Sequence, residues 1–491
     1  MWTKESLNEL VKEKLRDYLF IVVSNREPYI HTYSGRKIVC QVPASGLTVA
    51  LDPVMQSCGG TWVAHGSGDA DREMADKDGK VRVPPDNPAY SLKRVWLTRE
   101  EEEGFYYGLA NKALWPLCHI VYTKPVFNES DWEAYKKVNG IFADSVLEEI
   151  GNRKAFVFIQ DYHLALLSRL IKEKSPDIVT AQFWHIPWPN RDVFRRCPWQ
   201  AEILHGLLGN DLLGFHIRHH CNNFMDTVDR AIEAKVDWEH FEITRGGKRT
   251  AIRPFPISVD FADLDHYARS GAVEAEVERL RDVLGLGDEK IGIGLDRIDY
   301  TKGIPERFLA IARLLERNPQ YRGKMVFIQA GVPSRTHIAT YQALNKEVDE
   351  MIERINWEFG EGKWKPILLI RDNCPPVTLM ALRRMADFCI VSSLHDGMNL
   401  VAKEFPASRF DEDGVLILSP FTGAARELTE ALLVNPYATD NFAEAIKTAL
   451  EVPRDERQKR MRKMREVVRE NNIYKWAADI ISELVRFEFG G

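Results

Sequence analysis

The densest set of reactive groups lies in Ser393–Glu404, SLHDGMNLVAKE, which joins two carboxylates, a glycine and a helix start. The segment follows the apolar run Phe388–Val391 and opens a helix expected from about Asn399. A helix start after a parallel strand offers unbonded backbone N–H groups and the positive end of a dipole, which suits a diphosphate. Gly397 lets the backbone approach a ligand where a side chain would obstruct it. Asp396 precedes the helix and Glu404 falls about one and a half turns inside it, so both can face one crevice. Carboxylates there accept hydrogen bonds from sugar and ribose hydroxyls. The competing reading is a solvated acidic loop with a structural helix cap.

A second set lies in Leu295–Pro305, LDRIDYTKGIP, directly after the run Ile291–Leu295. Arg297 and Lys302 sit where open α/β sheets bind ligands, at the carboxyl end of a strand. Two cations there stabilise a leaving diphosphate, each charge-assisted contact being worth about 1.5–3 kcal/mol. Alone they read equally well as exposed ion pairs of little consequence; beside the acidic helix start, the functional reading is favoured. Further strand ends carry Arg335 (QAGVPSR), Arg26 (SNR), Asp161 (QDYH) and His185 (WHIPW), and a loop with Gly46 comes after the Arg26 segment. Strand-end arginines in both halves suggest phosphate groups gripped across a cleft. Asp161 suits sugar hydroxyls, whereas His185, flanked by Trp184, Ile186 and Trp188, reads by itself more readily as a satisfied core histidine than as a catalyst. Tyr106 and Trp115 belong to a helix containing FYYGLANKALW, where packing alone would explain them.

These loops need a scaffold, and the hydropathy pattern supplies one. Short apolar runs recur at Phe20–Ser24, Ala155–Ile159, Val179–Trp184, Ile291–Leu295, Met325–Gln329, Ile367–Ile370, Phe388–Val391 and Val415–Leu418. Near-continuous apolar runs suit strands buried on both faces. Charged helical stretches lie between them, including Pro305–Arg317, Thr340–Asn356 and Val377–Met385. The alternation predicts an α/β protein of two Rossmann-like, doubly wound domains facing a cleft. At 491 residues two domains are expected. Pro254 and Pro256 mark the division, giving residues 1–260 and 261–469, with a last helix in 470–491 able to cross back to the first domain.

Hydrophobic residues make up 45% and charged residues 28%, as in ordinary soluble proteins. No run reaches the roughly twenty apolar residues of a membrane helix, and the N-terminus lacks a secretory h-region. Seven scattered cysteines with no CxxC pair fit reduced thiols in a cytoplasmic protein. A net charge of −6 argues against nucleic acid, so an anionic ligand must be held by local Arg and Lys. The basic stretch 454–469 reads as a solvated helix face.

In SNREPY, QDYHL, FWHIPWP, LLGFH, DRIDYTKGIPERF, PSR, HDGMNLVAKEF and SPFTGAARELTEALLVNPY, taken in order, the chain resembles the trehalose-6-phosphate synthase family. That family consists of retaining glycosyltransferases of two Rossmann-like domains (GT-B). The resemblance implies that Arg297, Lys302 and the amides of Asn399, Leu400 and Val401 hold the diphosphate of a nucleotide-glucose, with Glu404 on the ribose and Gly46, Gly397 and Met398 also at the sugar donor. It implies Asp396 and His185 at the transferred glucose, and Arg26, Tyr106, Trp115, Asp161 and Arg335 at glucose 6-phosphate, the acceptor. Asp161, His185, Arg297, Lys302 and Asp396 would form the catalytic set. No protein nucleophile, cofactor or metal is implied: the acceptor attacks from the face the leaving group departs. Consistently, no carboxylate pair is placed like the acid and nucleophile of a retaining hydrolase.

His65 and Gln160 depart from the family pattern, which carries tryptophan and histidine there, and PASGL is an abbreviated glycine loop. Both substitutions fall on the acceptor side, so a glucosylglycerol-phosphate synthase using glycerol 3-phosphate stands as the alternative. A catalytically inactive regulatory relative predicts losses among Arg297, Lys302, Asp396 and Glu404, and all four are present. UDP-glucose is the expected sugar donor, although the residues do not distinguish uridine from guanosine or adenosine. The expected partners are these small molecules, with self-association into a homo-oligomer left open.

Overall fold

Each apolar run expected to be a strand is one in the computed structural model, which describes residues 1–15, 18–43 and 46–489. The chain divides into two compact units, Met1–Ile257 with the last helix, and Ser258–Asn472. Among the described residues, the first unit carries a ten-stranded sheet and the second a six-stranded one.

In the second unit the strand order is Ile367–Ile370, Met325–Ala330, Lys290–Leu295, Phe388–Val391, Val415–Leu418 and Leu432–Leu433. All of its pairings are parallel. The order 3-2-1-4-5-6 places a topological switch point between Lys290–Leu295 and Phe388–Val391, where ligands of such sheets bind. The helix Ile304–Arg317 buries Ile304, Phe308, Ile311 and Leu315, one stripe at helical spacing, in the core shared with Phe327 and Phe388.

The first unit repeats the plan. From the switch point, Leu19–Arg26, Thr61–His65 and Tyr90–Val95 run one way, and Ala155–Gln160, Val179–Phe183, Leu212–Phe215 and Lys248–Pro254 the other, all parallel. Antiparallel edges, Lys80–Val83 on one side and Lys235–Asp237 with Glu242–Arg245 on the other, complete the sheet. These short polar strands lack the apolar signature and were not legible in the sequence. The last helix, Ile473–Phe489, buries Trp476, Ile480, Ile481 and Leu484 within this unit. Trp476 packs its ring 5.2 Å from Phe183 and donates through Nε1 to the Phe255 carbonyl at 3.1 Å.

Three local expectations need correction. The helix expected from Asn399 begins at Val401, because Asn399 adopts a left-handed φ of +87° that no helix continues through. Gly46 is the first residue of the helix Gly46–Cys58 rather than part of a loop, and the neighbouring 44–45 lie outside the described residues. The basic stretch is the helix Arg454–Glu470, yet its cations are not simply solvated: Arg457 pairs with Asp413 at 2.6 Å, and buried Arg465 with Asp265 at 2.5 Å. No helix among the described residues is long and apolar enough to cross a membrane.

Candidate functional site

The switch point of the second unit gathers most of the groups singled out there. Lys302 lies 2.6 Å from the Asp396 carboxylate, which also accepts from Ser393 Oγ at 3.2 Å and Asn399 Nδ2 at 3.3 Å. The turn holding Lys302 ends at Gly303 with φ +63°, where a Cβ would come 2.2 Å from the Ser392 carbonyl oxygen. Only glycine lets the two strand-end loops touch there. Beneath them Arg307, fully buried, donates to Ser392 Oγ at 3.0 Å, Gln329 Oε1 at 2.7 Å and Asp296 at 2.7 Å. One guanidinium thus ties three strand ends together.

Asp299 organises the cations. It is fully buried, 3.3 Å from Arg335 and 3.9 Å from Arg297, and the Tyr341 hydroxyl lies 3.3 Å away. Burial alone would raise its pKa, but Arg335, Arg297 and Lys302 outweigh it and hold the carboxyl below its ordinary range. Arg297 also donates to Ser334 Oγ at 3.2 Å while staying partly exposed. The backbone amides of Asn399, Leu400 and Val401 make no hydrogen bond among the described residues, and the Asn399 side chain accepts instead from the Ala402 amide at 3.2 Å. Cations and open amides at a helix start are the groups that can hold an anion. Glu404 lies one turn into that helix, paired with buried Arg383.

In the first unit, Arg26 ends its strand and donates to the Tyr106 hydroxyl at 2.7 Å. Tyr106 belongs to the wide-turned π-helix Glu103–Leu114 and stacks on His163 with ring centres 5.6 Å apart. Helices of this type concentrate at functional sites. Trp115 is buried beyond it, 6.0 Å from the Tyr162 ring. Asp161, across the switch point from Arg26, adopts φ +71°, a backbone strain typical of sites that must aim a side chain. Its Oδ1 accepts from the His185 amide at 3.1 Å. His65, paired in register with Arg26, is buried, and desolvation pushes its pKa down to about 4. Desolvation, aided by His163, pushes His185 down to about 3.

This architecture has known counterparts: the model of glycosyltransferase family 20 matches residues 18–486. The chain belongs to glycosyltransferase family 20. A trehalose-6-phosphate synthase of Mycolicibacterium vanbaalenii is 35% identical over 478 residues, 96% of either chain. A bifunctional trehalose-6-phosphate synthase/phosphatase of Thermoproteus tenax is 37% identical over 95% of this chain, which spans only 63% of that protein's length. Among solved structures, the UDP-forming α,α-trehalose-phosphate synthase of Burkholderia xenovorans in complex with glucose-6-phosphate superposes with a TM-score of 0.85 at 30% identity, over 95% of this chain and 99% of that one. The Escherichia coli protein bound with UDP-2-fluoro glucose gives 0.84 at 30% identity, with the same coverage.

Within this family member the sequence-derived candidates fall into two groups. Arg297, Lys302, Asp396, Gly397, Met398, Asn399, Leu400, Val401, Glu404 and Arg335 lie in the second unit, and Arg26, Gly46, Tyr106, Trp115, Asp161 and His185 in the first. Sequence reasoning passed over Asp299, Tyr341 and Arg383. Asp299 stands two residues from Arg297 in the same loop, a spacing that could have flagged it. Tyr341 and Arg383 reach their partners only through the fold.

Proposed function

We propose that this chain is a retaining glucosyltransferase that moves glucose from a nucleotide-glucose, UDP-glucose, to glucose 6-phosphate and forms trehalose 6-phosphate. The observation that carries the reading is the switch point of the second unit, where Arg297, Lys302 and three open amides form one anion site beside two carboxylates. A diphosphate occupies it, and Glu404 takes a ribose hydroxyl. The similar structures that hold glucose-6-phosphate and UDP-2-fluoro glucose support both substrate classes. Arg26 and Tyr106 take the phosphorylated acceptor, a role the family resemblance also implies for Arg335.

Catalysis on this reading rests on positioning and on the charge that develops on the leaving diphosphate. Arg297, partly exposed beside Ser334 and Asp299, supplies a positive charge to that diphosphate. Lys302 is shared with Asp396, so a departing phosphate competes with a carboxylate already in place. Asp161 sits at the reacting hydroxyl of the acceptor, and His185 at the transferred sugar.

The decisive test is a matrix of UDP-, GDP- and ADP-glucose against glucose 6-phosphate and glycerol 3-phosphate, with products identified. Trehalose 6-phosphate from UDP-glucose is expected. A phosphorylated glucosylglycerol as sole product would replace the acceptor assignment, and no glucosyl transfer from any donor would refute the activity.

A further inference from the structure

His185 is gripped at every polar atom but one. Its N–H donates to Asp161 Oδ1 at 3.1 Å, its carbonyl accepts from His216 Nε2 at 3.0 Å, and its ring Nε2 lies 2.9 Å from Gln160 Oε1. The ring also packs against Phe183, with centres 4.6 Å apart, and His216 at 5.4 Å. Gln160 is fully buried at the end of the neighbouring strand.

The orientation of the Gln160 amide follows from its surroundings. Its Nε2 is directed at the Phe158 carbonyl at 3.5 Å, a group that only accepts. The amide NH2 therefore belongs on that side and the carbonyl oxygen faces His185. A carbonyl oxygen cannot donate, so the shared proton must belong to the imidazole. Nδ1 is then the lone-pair nitrogen, and it bonds no protein group among the described residues.

We infer that Gln160 is a positioning residue that fixes His185 as its Nε2–H tautomer, so that the ring presents Nδ1 as a hydrogen-bond acceptor to a hydroxyl of the transferred sugar. The sugar contact rests on the proposed function; the tautomer rests on the geometry alone. The depressed basicity of His185 agrees with a ring that stays neutral during turnover.

The test uses the full chain labelled with 15N-histidine. Long-range proton–nitrogen correlation separates N–H from lone-pair nitrogens, and the His185 signals are those lost in His185→Asn. The wild type is expected to show Nε2–H. Gln160→Met, of similar volume but without an acceptor, is expected to show a mixture of tautomers and about a tenfold lower kcat, with the acceptor KM within twofold. Gln160→Glu restores an acceptor and brings back the Nε2-bound proton. An Nδ1–H tautomer in the wild type, or an unchanged tautomer and kcat in folded Gln160→Met, would overturn the inference. If Gln160→Met does not fold, the wild-type spectrum still decides the tautomer. Full activity in His185→Asn would instead remove the sugar contact, leaving the tautomer result standing.

Discussion

Replacing Gly423 by alanine probes how the anion loop is held, at a position no ligand needs to touch. The Cβ would come 2.1 Å from the Gly397 carbonyl oxygen, 3.1 Å from its carbon and 3.2 Å from Met398 Cα. Carbon–oxygen contacts ordinarily stop at about 3.3 Å, so the two loops must part by about 1.2 Å. They are not free to do so. Asp396 N–H donates to the Phe421 carbonyl at 3.0 Å, Ala424 N–H to the Met398 carbonyl at 3.1 Å, and buried Lys403 pairs with Glu427 at 2.6 Å. Overpacking of this kind costs about 1–3 kcal/mol of stability. A displacement of about 1 Å in positioning groups lowers kcat/KM by about 100-fold. The measurements are thermal unfolding, UDP binding by calorimetry, and kcat/KM for the sugar donor. Gly271→Ala serves as control, since a Cβ there meets nothing within 4 Å, and it should be neutral or stabilising by up to about 1 kcal/mol. A Gly423→Ala protein with wild-type stability and kcat/KM within twofold would refute the claim that this contact sets the loop.

Other perturbations separate the two ligands. Arg335→Ala should raise the acceptor Kd at least tenfold while UDP binding, read by calorimetry, stays within twofold; unchanged acceptor affinity would remove Arg335 from the site. Glu404→Gln should weaken the sugar donor by a similar factor and spare the acceptor, because it loses one acceptor oxygen and the charge that pairs with Arg383. Asp299→Asn leaves two guanidinium groups without their shared buried carboxylate and should cost about 3–5 kcal/mol in denaturant unfolding; a loss below about 1 kcal/mol would contradict its organising role. His65 has a folded pKa pushed down to about 4 by desolvation, so the unfolded chain binds more protons between pH 4 and about 6.5. Stability therefore falls on acidification through that window, by about 1.4 kcal/mol per pH unit for this group. His65→Gln should flatten the slope measured between pH 6.5 and 4.5, and equal slopes would show the histidine is not held neutral.

The loops that carry chemistry were legible because each follows a run of apolar residues long enough to be a buried parallel strand. Ile291–Leu295 and Phe388–Val391 announce strands, and topology rules place ligands at their carboxyl ends. Asn399 shows where this reasoning stops. Its segment reads as the start of a helix, yet the Asn399 side chain bonds the Ala402 amide and delays the helix to Val401. The amide of Ala402, not those of Asn399, Leu400 and Val401, is thereby satisfied by the side chain.

The linear chain by itself determined the alternation of strands and helices, the parallel sheets, and the residue types at each strand end, because burial on both faces demands apolar runs whatever the surroundings. Tertiary structure alone decided which charges neutralise which. Asp299 restrains Arg297 and Arg335, Arg383 meets Glu404, and Gln160 fixes the proton on His185, across separations of 2 to 36 residues in sequence. Charge pairing depends on distances of a few ångströms, and those distances are set by strand order and helix packing rather than by spacing along the chain.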